Sequence, residues 1–271
     1  MKKITRPPKK REIFKKFKIF IFLFAFIFCL SGVYWLIFYS EFFSIKKIEI
    51  NDLNHQSVFI SKEEILDEIK KQNRKYLLPY LQDSLSFVLI SQEELIKNII
   101  NKHPEIEKLE AKLNIQKGIL NVIYQPRKEK FNLCFLDNEC FLLDINGVPF
   151  KKINTKNSSL DTIYLKQKED IILGEKLLEK NNLKELEKIA LSLKERQDLF
   201  IFDSFILDKK NSPDYQIITN KKMKIFLNFK EDISEIILIL EKLKNQQLKG
   251  TFDRVDYIDL RYLPKVYYKN L

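Results

Sequence analysis

Residues 19–39, "IFIFLFAFIFCLSGVYWLIFY", contain no charged side chain. At about 1.5 Å per residue, a helix of this length spans roughly 30 Å, the thickness of a bilayer's hydrocarbon core. Tyr34, Trp35 and Tyr39 gather toward its far end, where an interfacial aromatic belt belongs. A cleaved signal peptide would have a shorter apolar core and small residues at the cut, whereas Tyr39-Ser40-Glu41-Phe42-Phe43 is bulky. A core helix of this length would show a polar face. The sequence therefore predicts an uncleaved transmembrane helix over 19–39.

Charge then predicts orientation. Residues 1–18 hold nine Lys and Arg against Glu12 alone, 9 − 1 = +8 of the net +11, so the remainder of the chain carries only 11 − 8 = +3. Basic residues beside a span stay in the cytoplasm, so 1–18 reads as a basic cytoplasmic tail and 40–271 as extracytoplasmic. A nearly balanced body excludes a nucleic-acid partner. Cys29 falls within the span, and Cys134 and Cys140 within the exported part, where an oxidising compartment permits a disulfide. A three-residue loop in "FLDNE" would set these two opposite each other, and a two-residue Asp137-Asn138 loop would put them on opposite faces. A bond and two free thiols both remain open.

"FFSIKKIEIND" (42–52) has a strand pattern. "SKEEILDEIKKQ" (61–72) opens on a capping box, Ser61 with Glu64, and places Ile65, Leu66 and Ile69 on one helical face. "SQEELIKNIINKHP" (91–104) repeats the device with Ser91 and Glu94, and stops at Pro104. Strands follow over about 106–115 and 119–125, turning at Lys117-Gly118. Beyond 126 come short strands with an Asn146-Gly147 hairpin signal, a helix over 181–195, a meander of three strands, a helix over 231–246 and a closing strand in "YIDLRY". The expected fold class is α+β, its second domain on an antiparallel sheet.

An anchor followed by strand-helix-helix-strand-strand resembles the FtsQ/DivIB family of bacterial cell-division proteins. "FFSIKKIEI", "SKEEILDEI", "NIINKHPEIEKLEAKL" and the late "IDLR" (258–261) carry the resemblance, which covers most of the chain. Two stretches depart from the family pattern: 73–90 is a longer link between the helices, and the proline in "YQPRKEK" (124–130) is displaced. The resemblance implies a POTRA domain (β-α-α-β-β) over 44–126 and a C-terminal β-rich domain over 127–271. It implies the inner membrane and division septum as location, with FtsB/DivIC-type and FtsL-type single-span coiled-coil proteins as partners.

Catalytic signatures are missing. The chain has two histidines, His55 and His103, and neither has the spacing to a cysteine that nucleophilic chemistry uses. No zinc pattern occurs, "DINGVPF" has the wrong ligand spacing for calcium, and five glycines build no phosphate-cradling loop. The expectation is a non-enzymatic scaffold without catalytic residues, cofactor or metal. An envelope enzyme with an unrecognised site and a POTRA-bearing transport component are the alternatives. In "RVDYIDLRYLPKVYYKN", Ile258 and Leu260 share a face and are expected in the core. From Arg261 onward a binding role is expected, with Arg261, Tyr262, Leu263, Val266, Tyr267 and Tyr268 as the contact residues. Three tyrosines with basic neighbours suit an interface anchor, and a terminal edge strand offers a template for another strand. In the resembling family this region holds the partner by strand addition.

Overall fold

The computed structural model describes residues 10–39, 44–52, 60–76, 90–137, 139–210 and 212–271. Helix α1 runs Lys10–Tyr39, and within it Phe17–Leu36 is long and apolar enough to cross a membrane, with a mean hydropathy of 2.4 and no buried residue. The helix begins eight residues before Lys18, inside the stretch read from sequence as a tail. Tyr34 and Trp35 are exposed, and the side chain of Tyr39 lies outside the described residues, as do residues 1–9, His55 and 77–89.

The chain divides into two compact units, residues 1–102 with 108–125, and 103–107 with 126–271. In the first, β1 (Lys47–Asp52), α2 (Lys62–Tyr76), α3 (Gln92–Lys102), β2 (Ile106–Asn114) and β3 (Ile119–Pro126) follow in that order, and the sheet order is β1-β3-β2. β1 pairs parallel to β3, with α2, α3 and β2 supplying the long connection that a parallel pair needs. Ser61 and Glu64 exchange both capping bonds, at 3.1 and 3.2 Å. At α3, Glu94 N–H donates to Ser91 Oγ, but Ser91 N–H donates to Gln72 Oε1 at 3.1 Å and so ties α3 to α2. Ile65 and Ile69 of α2 and Leu95 and Ile99 of α3 are buried, as are Leu120, Val122 and Tyr124, which alternate along one face of β3. Glu68 is buried among them. Burial pushes its pKa up, but hydrogen bonds from Lys102 and Lys71 outweigh that and hold the carboxyl below its ordinary range.

The second unit contains β4 (Phe131–Phe135), β5 (Cys140–Leu143), β6 (Pro149–Ile153), β7 (Asp161–Leu165), α4 (Lys180–Glu195), β8 (Phe202–Leu207), β9 (Asp214–Thr219), β10 (Lys224–Asn228), α5 (Ile233–Lys242), β11 (Val255–Asp259) and β12 (Tyr267–Asn270). They form one nine-stranded sheet, order β12-β11-β10-β9-β8-β7-β4-β5-β6. The sheet is mixed, which corrects the antiparallel expectation: β4–β7, β7–β8 and β10–β11 are parallel. For β7–β8 and β10–β11 the reason is the placement of the helices, whereas β4 and β7 are joined through the β5–β6 hairpin. α4 separates β7 from β8 and α5 separates β10 from β11, and a helix between adjacent strands is a crossover that returns the chain in the same direction.

Both helices pack on one face. Leu183, Leu186, Ile189 and Leu193 of α4 and Ile236 and Leu240 of α5 share a core with Phe131, Leu133, Ile163, Phe205, Tyr215, Ile217, Ile225 and Ile258. α5 starts on Asp232, whose carboxylate accepts from Ser234 N–H at 2.7 Å, and ends in a π-turn, Leu243–Gln247.

Two hairpins differ from their sequence reading in loop length or resolve it. At β5–β6, Asp144 N–H bonds Val148 C=O and Gly147 N–H bonds Asp144 C=O, so the loop is the three residues 145–147, with Gly147 at φ +84. Two residues were expected; the extra one places a left-handed glycine after a turn, the next commonest hairpin solution. At β4–β5, Phe135 N–H bonds Glu139 C=O across residues 136–138, and Cys134 and Cys140 face each other with Cα atoms 4.1 Å apart, joined as a disulfide.

Asp144 also carries a buried pair: its carboxylate accepts from Arg127 Nη1 at 2.7 Å and from the N–H groups of Asn146 and Val148 at 2.9 Å each. Arg127 Nε further donates to Pro104 C=O.

Candidate functional site

The sheet ends differently on its two sides. At β6 the edge is blunted: Pro149 has no N–H, its carbonyl accepts from Gly174 N–H at 2.9 Å, and Lys151 and Lys152 are exposed. At β12 every residue is exposed.

Hydrogen-bond parity fixes what β12 presents. Leu260 N–H bonds Phe226 C=O of β10, so Ile258 and Leu260 point toward β10 while Tyr257 and Asp259 point toward β12. Their partners in the antiparallel register are Lys269 and Tyr267. Leu271 N–H bonds Arg254 C=O, consistent with 267, 269 and 271 all facing inward. By alternation, the N–H and C=O groups of Tyr268 and Asn270 face away from the sheet. They are an open hydrogen-bonding edge.

Beside this edge the chain turns at Arg261–Lys265, with a cis Leu263–Pro264 bond and Lys265 N–H bonded to Tyr262 C=O. β11 thus stops at Asp259, short of the expected "YIDLRY", because Arg261 N–H turns to the Asp259 carboxylate instead of a neighbouring strand. Arg261 grips that carboxylate with two prongs, Nε–Oδ1 at 2.9 Å and Nη2–Oδ2 at 2.6 Å, and its Nη1 lies 3.6 Å from Asp214 Oδ2. The hydrogen bond from Arg261 holds the Asp259 carboxyl below its ordinary range, against a smaller opposing effect of burial, and Asp259 in turn raises the guanidinium. The guanidinium lies 5.0 Å from the Phe226 ring centre and 5.5 Å from that of Tyr262. Tyr262 meets Tyr267 edge to face at 6.3 Å, as Phe226 meets Tyr257 at 5.8 Å. A cation and four aromatic rings therefore form one ordered patch, held in place by an ion pair.

The six residues singled out in the sequence separate into two groups. Tyr262, Tyr267 and Tyr268 are 59, 52 and 42% exposed, whereas Leu263 and Val266 pack partly against the domain core, so their apolar area serves the fold first. Arg261 is half-buried and organises the patch. Phe226, Tyr257 and Asp259 were missed. The signal for two of them was present: Tyr257, Asp259 and Arg261 are spaced i, i+2, i+4, one face of a strand.

Elsewhere, a cavity of about 250 Å³ is lined by Leu199, Phe200, Thr219, Met223, Lys244 and Phe252, among others. Its ionic groups are engaged. Lys244 Nζ donates to the carbonyls of Asp198 and Leu199, and Arg196 Nε donates to the Asp198 carboxylate at 3.2 Å, which holds that carboxyl low. The carboxylates that shift, Asp198, Asp232 and Asp259 among them, move down, whereas a general acid at neutral pH needs the opposite. Among the described residues, no group of three or more His, Cys, Asp or Glu side chains could hold a metal ion. No protein-family model matches the chain, and no curated protein matches it.

Proposed function

We propose that this chain is a non-catalytic, membrane-anchored scaffold of the FtsQ/DivIB type, which recruits FtsB/DivIC-type and FtsL-type single-span division proteins to the septum of the inner membrane. On this reading α1 is the anchor, with its basic end in the cytoplasm. Residues 44–126 are a POTRA domain, in keeping with the β-α-α-β-β order and the β1-β3-β2 sheet. The second unit carries the partner. One observation supports the recruiting role above others: the nine-stranded sheet has one blunted edge and one open edge, and the open one is flanked by exposed tyrosines. A partner segment adding to β12 gains backbone bonds at Tyr268 and Asn270, and its side chains meet the patch of Arg261, Tyr262 and Tyr267.

Parity supplies the test. Proline removes an N–H and is tolerated on an edge strand where that N–H faces solvent. Tyr268→Pro should keep the melting temperature near that of the parent and abolish co-purification of a co-expressed FtsB/DivIC-type partner. Lys269→Pro removes a bond to β11 instead, so it should lower the melting temperature. Retention of the partner by folded Tyr268→Pro overturns strand addition.

A further inference from the structure

In the second unit, the turn that follows α4, the β9–β10 turn and the segment from the π-turn to Phe252 line the cavity of about 250 Å³. Its floor is apolar: Leu199, Met223 and Phe252 are each no more than 5% exposed. Ile201, exposed, stands at its rim.

Two polar groups in this lining keep a donor that nothing accepts among the described residues. Lys244 Nζ has three N–H bonds and meets two acceptors, the carbonyls of Asp198 and Leu199, both uncharged. Its other neighbour is the Phe252 ring, whose centre is 5.9 Å away. Thr219 is buried at 1% exposure, and its Oγ1 accepts from Met223 N–H at 3.2 Å. Its own hydroxyl proton has no acceptor. A buried donor left unpaired is unfavourable, so an acceptor entering from outside gains bonds here without breaking any.

Charge says which acceptor. Around the cavity Arg196, Lys221 and Lys244 stand against Asp198 and Glu241, a net 3 − 2 = +1. Arg196 bonds both carboxylates, and no carboxylate pairs with Lys244 among the described residues. A neutral acceptor would fill the hydrogen bonds and leave the charge. A carboxylate brings two oxygens and neutralises it, with the stronger, charge-assisted bond.

We propose that this cavity binds a small apolar carboxylate, its oxygens on Lys244 and Thr219 and its body against Leu199, Met223 and Phe252. A free acid and the last residue of a peptide share that chemistry. The site uses no residue of the β12 edge and is independent of partner recruitment.

The full chain in phosphatidylcholine nanodiscs is titrated with phenylpropionate and with its neutral analogue phenylpropanamide by saturation-transfer NMR, with empty discs subtracted. The acid should bind about tenfold more tightly than the amide. Lys244→Met keeps an apolar stem and should abolish that preference. Because Lys244 also ties down two carbonyls, a second variant leaves it in place: Ile201→Trp narrows the mouth from an exposed position and should weaken the acid about five-fold at unchanged melting temperature. Acetyl-glycyl-phenylalanine distinguishes the sources: affinity equal to phenylpropionate or better assigns the site to a peptide terminus, and weaker affinity to a free acid. Equal affinity for acid and amide, no saturable binding beyond that of empty discs, or unchanged binding by folded Ile201→Trp overturns the proposal.

Discussion

Gly147 sits at the tip of the β5–β6 hairpin with φ +84, a conformation L side chains rarely adopt. A methyl group there would lie 1.9 Å from the carbonyl oxygen of Leu178 and 2.7 Å from its carbonyl carbon. That neighbour is held. Leu177 and Leu178 donate their N–H groups to the Gly147 carbonyl at 2.8 and 3.2 Å, and Leu178 is buried in the core. Gly147→Ala therefore incurs about 1–2 kcal/mol for left-handed backbone and about 1–3 kcal/mol for overpacking. The stiffer unfolded chain returns about 0.4–1 kcal/mol. A net loss of about 2–4 kcal/mol is expected. Gly250 provides the control, since it has φ +81 but nothing within 4 Å of its added methyl, so Gly250→Ala should show the backbone cost alone, about 1 kcal/mol. Urea midpoints of the full chain in detergent micelles, followed by near-ultraviolet circular dichroism, measure both. Equal losses for the two variants would refute the close approach of the hairpin to residues 177–178.

Asp144→Ala leaves the buried Arg127 guanidinium without its partner and two N–H groups unbonded, and should lower stability by about 3–5 kcal/mol in the same assay. Tyr262→Ala removes an exposed ring, so it should weaken partner binding by about 2 kcal/mol in isothermal titration with little change in melting temperature. Asp259 is depressed in the folded state, so the stability it contributes is present above the ordinary carboxylate pKa of about 4 and is lost as pH falls through its lower folded value. Arg261→Gln should therefore flatten the fall in urea midpoint below pH 4. Replacing Cys134 and Cys140 together by alanine should lower stability by about 2 kcal/mol, a small effect because the bond closes a short loop, with a sequence separation of 6.

Local chemistry was readable in this sequence where one residue's side chain settles the matter. The Ser61–Glu64 box and the five buried positions of α4 follow from spacing alone. Strand direction was misread because alternation reports which face a residue occupies and says nothing about its neighbour in the sheet. The helices at 180–195 and 233–242 contained the missing information, since each must carry the chain back across the sheet. Loop lengths at 136–138 and 145–147 turn on single hydrogen bonds, which composition does not encode. The aromatic patch was half legible. Tyr262 and Tyr267 are adjacent to a visible motif, but Phe226 reaches Arg261 from a strand more than thirty positions earlier, and only the parallel β10–β11 pairing brings it there.

The inequality between the two edges of the large sheet also bears on symmetry. Growth of a fibre through strand pairing is heterologous and needs two complementary edges on every copy. Here Pro149, its Gly174 contact and the exposed Lys151 and Lys152 obstruct one of them. The remaining edge can accept one foreign strand, or it can meet its own counterpart across a two-fold axis. Either event uses it up, so at this edge a self-pair and the proposed partner complex exclude each other.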